Sequence, residues 1–213
     1  MEKLTFKQLL SNPAGKYSAH QSNRKLTKEN LESRFSLLLS KYKLFKTKIF
    51  KLNDSFIFHI KVPSEQKTQK DLFYDVILEF INHSETSSSL NSYIIKFWSN
   101  SPAFTYTYAY VANKNNLIPS WVKGKSGRKA LWKKPKKRNP GIMLGFEKSI
   151  HFAALYIIHK DLLKITNVIK LSQKFDKKYI KLIVPSAGEK FVEYGTKKIK
   201  HRIRLRLFIN SIL

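Results

Sequence analysis

The apolar residues of this chain change their period near residue 45, and this change constrains the fold more than any other feature. Residues 28–42 carry apolar side chains at helical spacing along one face: Leu31, Phe35, Leu38, Leu39 and Tyr42. Residues 46–63 instead show the alternation of strands, on either side of the turn-forming triplet Asn53–Asp54–Ser55. The pattern predicts a helix at about 28–42, followed by a β-hairpin.

One aromatic segment, residues 101–111, fits two periods. Every second residue from Phe104 to Tyr110 is aromatic, which favours a strand. A helix is the alternative, because Phe104, Tyr108 and Val111 also align at helical spacing. We expect a strand here.

The remaining segments extend the mixed pattern. Residues 71–81, 91–98 and 178–185 are strand candidates, and residues 146–164 have the apolar stripe of a second helix. The fold class predicted from these elements is α+β, with a mainly antiparallel sheet and two principal helices.

The two ends of the chain differ from its middle. Residues 1–26 start with a short apolar cluster and continue as a polar, turn-rich stretch, typical of an arm that is either disordered or laid across a neighbour. Near the C-terminus, apolar residues alternate strictly with four cations, as in a strand with one basic face. We expect an N-terminal arm at 1–26, an α+β domain at 27–195 with a basic loop at 112–144, and a basic C-terminal strand or extension at 196–213.

The charge balance indicates an acidic or polyanionic partner. The chain has 41 Lys and Arg against 14 Asp and Glu, a formal net charge of +27. An AT-rich genome would explain the excess of Lys over Arg, but Asp and Glu also have AT-rich codons and are scarce. Because an isolated compact chain with this charge repels itself, we expect a partner: nucleic acid first, another protein second, a membrane surface third.

The stretch GKSGRKALWKKPKKRNP at 124–140 concentrates this charge. Nine of the sixteen residues from Lys123 to Arg138 are basic, with Trp121 and Trp132 interleaved. Clustered cations neutralise phosphates and exposed aromatics stack on bases, whereas buried tryptophans would only anchor the loop. The predicted contact residues, in this loop and on the basic face of the C-terminal strand, are Lys123, Lys125, Arg128, Lys129, Trp132, Lys133, Lys134, Lys136, Lys137, Arg138, Lys200, Arg202, Arg204 and Arg206.

Sequence motifs for catalysis are weak. GKS at 124–126 resembles the end of a phosphate-binding P-loop, but Pro119 occupies the position where that motif needs a glycine. The chain has no cysteine, which excludes thiolate metal sites and a cysteine nucleophile. The longest near-apolar run, nine residues from Ile150 to Ile158, is too short to span a bilayer.

Carboxylates are also poorly placed for metal or acid–base chemistry. No Asp or Glu occurs in the 61 residues between Glu85 and Glu147. The one regular series is Asp71, Asp75 and Glu79, which we interpret as a surface feature or as partners for lysines rather than as a catalytic pair. No two of the six histidines are four residues apart, as a helical metal site would need. We therefore expect no enzymatic activity, no metal and no cofactor.

Five segments together carry a resemblance: VPSE (62–65), FYDVILEF (73–80), FWSNSPAFTYTYAYV (97–111), RNPG (138–141) and GFEKSIHFAALYI (145–157). Within about 62–157, under half of the chain, this combination resembles a small virion structural protein of tailed bacteriophages that infect low-GC bacteria.

The resemblance implies a subunit of the head–tail or neck region, found in the virion and in the host cytoplasm during assembly. Such subunits form homo-oligomeric rings, contact portal, adaptor or tail proteins, and often face packaged DNA. They are α+β proteins with extended arms, and no catalytic residues carry over. No membrane association is expected.

Two other classes of function stay open. A stand-alone nucleic-acid-binding protein, ribosomal or regulatory, would show affinity that falls steeply with salt. A nuclease is disfavoured, because metal-dependent phosphodiester cleavage generally needs clustered carboxylates.

Overall fold

The computed structural model describes residues 4–11, 28–65, 73–82, 87–123, 134 and 144–175. Their fold is α+β, as predicted: one five-stranded, mostly antiparallel sheet with several helices. In chain order the elements are α1 (Phe6–Leu10), α2 (Lys28–Tyr42), β1 (Thr47–Leu52), β2 (Ser55–Pro63), β3 (Phe73–Ile81), a 3-10 turn (Leu90–Ser92), β4 (Ile94–Ser99), a π-helical segment (Phe104–Tyr108), α3 (Ala109–Lys114), α4 (Ser120–Lys123), α5 (Lys148–His159), α6 (Ile165–Leu171) and β5 (Gln173–Lys174).

The strand order in the sheet is β4-β3-β2-β1-β5. The first four strands are antiparallel neighbours, whereas β1 and β5 run parallel. The β1–β2 hairpin turns at Asn53 and Asp54, with Leu52 opposite Ser55. Asn53 has a φ of 49°, a conformation that Asn tolerates better than most residues, which confirms the turn predicted there.

One face of the sheet, the helix face, holds the aromatic core. Phe58, Leu78 and Phe97 lie side by side on β2, β3 and β4. The ring of Phe97 contacts Phe146 at 5.2 Å, just before α5, and α5 packs on β2, β3 and β4 and on α2. Full burial of each of these side chains contributes about 2–3 kcal/mol, so this layer accounts for much of the fold's stability.

The other face of the sheet is defined by Phe50, Ile57, Glu79 and Lys96, which lie in register across β1 to β4. Phe175 follows β5 and contacts Phe50 at 6.3 Å. We call this the Glu79 face, because it holds the buried carboxylate that accepts a hydrogen bond from Trp121.

The first described residues, 4–11, pack against their own chain. Phe6 and Leu9 of α1 are fully buried, and the side chains of Thr5 and Gln8 form a capping box at the helix start. The N–H of Ile95 donates to the carbonyl of Leu4 at 3.2 Å, so this segment covers the outer edge of β4. Neither of the two forms expected for the arm, disordered or laid across a neighbour, applies to these eight residues. The boundary at residue 26 stays a prediction, since residues 12–27 lie outside the described part.

The strand predicted at 101–111 is wrong: the segment is helical. The Ser101 hydroxyl accepts from the N–H of Phe104 at 3.1 Å and so caps a helix start. Phe104, Tyr108 and Val111 are buried while Tyr106 is 57% exposed. The buried residues therefore follow the helical spacing of this segment and not the alternating one.

Other boundaries also shift. The second principal helix ends at His159 rather than near 164, and a separate helix, α6, follows. Within 112–144, expected to be irregular, α3 ends and α4 forms. The strands predicted at 178–185 and in 196–213 lie outside the described residues. Of the helices that the structure does describe, none combines the length and apolar character needed to cross a bilayer.

Candidate functional site

The basic loop is the site favoured by the sequence, and of its residues 112–144 the structure describes 112–123, Lys134 and Leu144. Lys123 is the last residue of α4, and Lys134 is exposed. The other twelve predicted contact residues lie outside the described part and stay predictions: Lys125, Arg128, Lys129, Trp132, Lys133, Lys136, Lys137, Arg138, Lys200, Arg202, Arg204 and Arg206.

The first end of the loop is anchored on the Glu79 face by Trp121. Its indole Nε1 donates to Oε1 of Glu79 at 3.0 Å, and its ring meets Phe175 edge-on at 5.8 Å. The next residue, Val122, is fully buried. Of the two roles considered for the tryptophans, Trp121 therefore has the anchoring one, whereas Trp132 lies outside the described residues.

The second end is anchored on the opposite face of the sheet. Phe146 is fully buried and contacts Phe97 at 5.2 Å and Phe6 at 6.4 Å. Glu147 then caps α5. Both ends of the basic loop are thus held by core side chains, on opposite faces of the sheet.

Glu79 is 6% exposed and shares one face of β3 with Asp75. Burial raises the pKa of Glu79, and the hydrogen bond from Trp121 and the charge of Lys96 offset this only in part. Burying a carboxylate without a hydrogen-bond donor costs folding free energy. The indole hydrogen bond therefore offsets the burial of Glu79 on β3, and it also holds the start of the basic loop against the sheet.

Asp75 lies on β3, and its carboxylate links this strand to β2 and to Asn100, the residue after β4. Its carboxylate lies 2.8 Å from Nε2 of the buried His59, accepts from Nδ2 of Asn100 at 3.0 Å, and lies 3.8 Å from Nζ of Lys61. This series was interpreted as a surface feature or as partners for lysines. Asp75 does lie near Lys61, but the surface interpretation is wrong for the buried Glu79, and Asp71 lies outside the described residues.

A second buried carboxylate, Glu147, sits in a cluster of serines. It accepts from the backbone N–H of Ser149 at 3.0 Å and from its hydroxyl, and Ser149 Oγ lies 3.0 Å from Ser99 Oγ. Burial raises the pKa of Glu147 although hydrogen bonds from Ser149 and Ser101 oppose it. The cluster ties the start of α5 to the end of β4.

A third carboxylate, Glu65, joins α2 to α5. It accepts from Nε of Arg34 at 2.7 Å and pairs with Lys148. Burial opposes ionisation, but the hydrogen bonds and charges of Arg34 and Lys148 outweigh it, so the pKa of Glu65 lies below its usual value. These carboxylates therefore hold elements together. Within the described residues, no group of three or more His, Asp or Glu side chains is placed to hold a metal ion.

One basic surface of the sheet was not predicted from the sequence. It lies along β1 and its neighbours and includes both faces of the sheet there: Lys46, Lys48 and Lys61 are on the Glu79 face, and Lys51 and Lys174 are on the opposite face. We call these five residues the β1 lysine surface. Two pairs of these lysines are cross-strand neighbours. The N–H of Lys61 donates to the carbonyl of Lys46 at 2.9 Å, and Lys51 lies opposite Lys174. A sequence signal exists, since no Asp or Glu occurs between Glu32 and Asp54, but the pairing depends on strand register.

Comparison of the chain with protein-family models, with curated proteins and with solved structures finds no match. The indications of function therefore come from the sequence and from the geometry above.

Proposed function

We propose that this chain is a non-enzymatic virion structural protein of a tailed bacteriophage. It would be a subunit of the head–tail connector or neck ring, with basic surfaces that face DNA or acidic neighbouring subunits. The observation that supports this most is the anchoring of the basic loop. Nine of the residues from Lys123 to Arg138 are cations, and Trp121 before this segment and Phe146 after it are held by contacts with the sheet.

Anchored ends give the loop a defined origin on the domain. A contact surface on a rigid scaffold binds with a smaller loss of conformational freedom than one on a free tail. The net charge of +27 supports the same proposal, because a protein with this charge gains most from a partner that neutralises it. The resemblance across 62–157 supplies the virion context.

The direct test is the protein's presence in virions. Mass spectrometry of purified particles, with quantification against a capsid protein, should find a small fixed copy number per particle, as a ring requires. Detection in the infected cytoplasm but not in purified virions would contradict the proposal. If DNA binding persisted in that case, the stand-alone nucleic-acid-binding function would replace it.

The loop is tested by charge reversal of Lys133, Lys134, Lys136 and Lys137 to Glu. The matched control reverses four exposed lysines of the described part: Lys7, Lys114, Lys160 and Lys170. The loop variant should bind duplex DNA more weakly than the control, and the slope of log K against log salt should fall by about 0.9 for each phosphate that the variant no longer neutralises. Equally weakened binding in both variants would mean that net charge, not the loop, controls binding.

A further inference from the structure

The β1 lysine surface places like charges directly beside one another. Cβ atoms of directly opposed residues on neighbouring strands lie about 5 Å apart, and like charges there destabilise a sheet. Lys46 and Lys61 are such neighbours on the Glu79 face. Lys51 and Lys174 are neighbours on the other side of β1 and are both exposed. Each such pair reduces the stability of the sheet, and an anionic partner would offset this cost.

Little within the described residues offsets this charge. Lys46, Lys51 and Lys174 form no ion pair with any other described residue. Lys61 lies 3.8 Å from Asp75, but that carboxylate is already held by His59 at 2.8 Å and Asn100 at 3.0 Å. Asp54, in the hairpin turn after β1, is the next acid along the chain. Because Lys46, Lys51 and Lys174 are unpaired within the described residues, they leave the surface with a net positive charge.

The side-chain types around β1 indicate what kind of polyanion fits. Lysine is a flexible point charge, suited to contacts with backbone phosphates that carry no sequence information. Binding of single strands generally adds aromatic side chains on which bases stack. Here the aromatic residues next to the lysines in the chain pack on the core: Phe45 and Phe50 are buried, and Phe175 is partly buried against it. A surface of lysines whose neighbouring aromatics pack inward fits the outside of a duplex better than unpaired bases.

The spacing of the lysines also agrees with a duplex as the partner. Residues two apart on a strand are about 7 Å apart, so Lys46 and Lys48 lie on one face of β1 at that separation. Lys61 adds a third cation on the neighbouring strand. The register thus fixes three cations on the Glu79 face, and it places Lys51 and Lys174 on the opposite face of β1. Because lysine side chains are long and flexible, cations from both faces can reach phosphates along this side of the sheet.

We infer that the β1 lysine surface is a second nucleic-acid contact, which binds the phosphate backbone of double-stranded DNA independently of the basic loop. The inference deepens the proposed function, on which it rests for the presence of DNA, by naming duplex DNA rather than acidic protein as the partner of this surface.

The experiment uses the full chain with Lys46, Lys48, Lys51 and Lys174 changed to Gln. The control changes Lys7, Lys114, Lys160 and Lys170 to Gln, with the same loss of charge. A second variant with Arg at the four β1 positions keeps the charge. Binding to a random-sequence 30-base-pair duplex is measured between 50 and 200 mM salt, together with binding to poly-glutamate, and a urea titration checks that each variant is folded.

We expect the Gln variant to lose about tenfold or more in duplex affinity, with a salt slope lower by up to about 4. The control and the Arg variant should stay within a few-fold of the original chain. The inference is overturned if the β1 Gln variant and the control behave alike, or if poly-glutamate binding falls while duplex binding does not.

Comparison with the loop charge-reversal variant separates the two proposals. Loss of duplex binding in the loop variant alone overturns this inference and leaves the loop as the site. Loss in the β1 variant alone supports this inference and removes the loop from the DNA contact. An original chain that does not bind the duplex even at 50 mM salt contradicts DNA contact by either surface.

Discussion

The indole N–H of Trp121 donates a 3.0 Å hydrogen bond to the carboxylate of Glu79. One partner lies at the start of the basic loop, and the other lies on β3, two strands from β1. A hydrogen bond to a charged acceptor is roughly twice as strong as a neutral one, and Glu79 is 6% exposed. The stability of the sheet and the position of the loop are therefore coupled through a single contact.

Replacing Trp121 with Phe should cost about 1–3 kcal/mol in the free energy of unfolding, because the buried Glu79 carboxylate loses its donor. The measurement is urea denaturation of the original chain, Trp121→Phe, Glu79→Gln and the double variant. In the Glu79→Gln background the same Trp121→Phe change should cost about 1 kcal/mol less, because the acceptor is no longer a carboxylate. An equal cost in both backgrounds would show that the loss comes from packing alone.

Two described elements with a single clear period were predicted correctly from the sequence, whereas the predicted, strictly alternating C-terminal strand lies outside the described residues. The helix α2 and the β1–β2 hairpin follow from local spacing that permits only one structure. At 101–111 two periods coexist, and tertiary contacts that the sequence does not display decide between them, such as the ring of Phe104 against Phe97 at 6.1 Å. The sequence shows the helical alignment as the alternative, but the local pattern alone favours the strand.

The N-terminal segment and the β1 lysine surface were missed for a related reason. Leu4 to Leu10 form a cluster too short to identify as core, and its partners are distant in the chain: Phe6 contacts Phe80 at 5.2 Å and Phe146 at 6.4 Å. The lysine pairs exist only because strand register brings Lys46 beside Lys61. Both features are products of tertiary pairing, which one sequence does not specify locally.

The docking of residues 4–11 is tested by Phe6→Ala. Phe6 is fully buried among aromatic rings, so its truncation should cost about 3–5 kcal/mol through reduced burial and the cavity that remains. Lys7, the exposed neighbour on the same helix, provides the control, and Lys7→Ala should change stability by about 0.5 kcal/mol or less. If urea denaturation gave both variants the same midpoint, the segment would not be part of the core in solution.

The ion pairs of Glu65 should make a pH-dependent contribution. Its pKa is below the usual 4.5 in the folded chain, so its stabilising effect is fully present above the unfolded pKa and is lost as the pH falls through the lower, folded pKa. Glu65→Gln should cost about 1–3 kcal/mol near pH 7, because Arg34 and Lys148 lose a charged partner. In urea titrations the gap between the two proteins should narrow below about pH 4.5; a gap that is constant with pH would exclude a role for the charge.

Glu147 should show the opposite dependence on pH. Its pKa is raised from 4.5, chiefly by burial, so the folded chain holds a proton that the unfolded chain releases. Since stability falls with pH wherever the folded state binds more protons, the original chain should lose stability relative to Glu147→Gln as the pH rises from about 4.5 through the folded pKa. The Gln side chain keeps an oxygen that can accept from the N–H of Ser149, whereas Glu147→Ala removes this cap and should be about 1 kcal/mol less stable than Glu147→Gln at every pH. Urea titrations of the three proteins between pH 4.5 and 8 distinguish the two effects, and a Gln variant whose advantage does not grow with pH would mean that the carboxylate is ionised in the serine cluster without penalty.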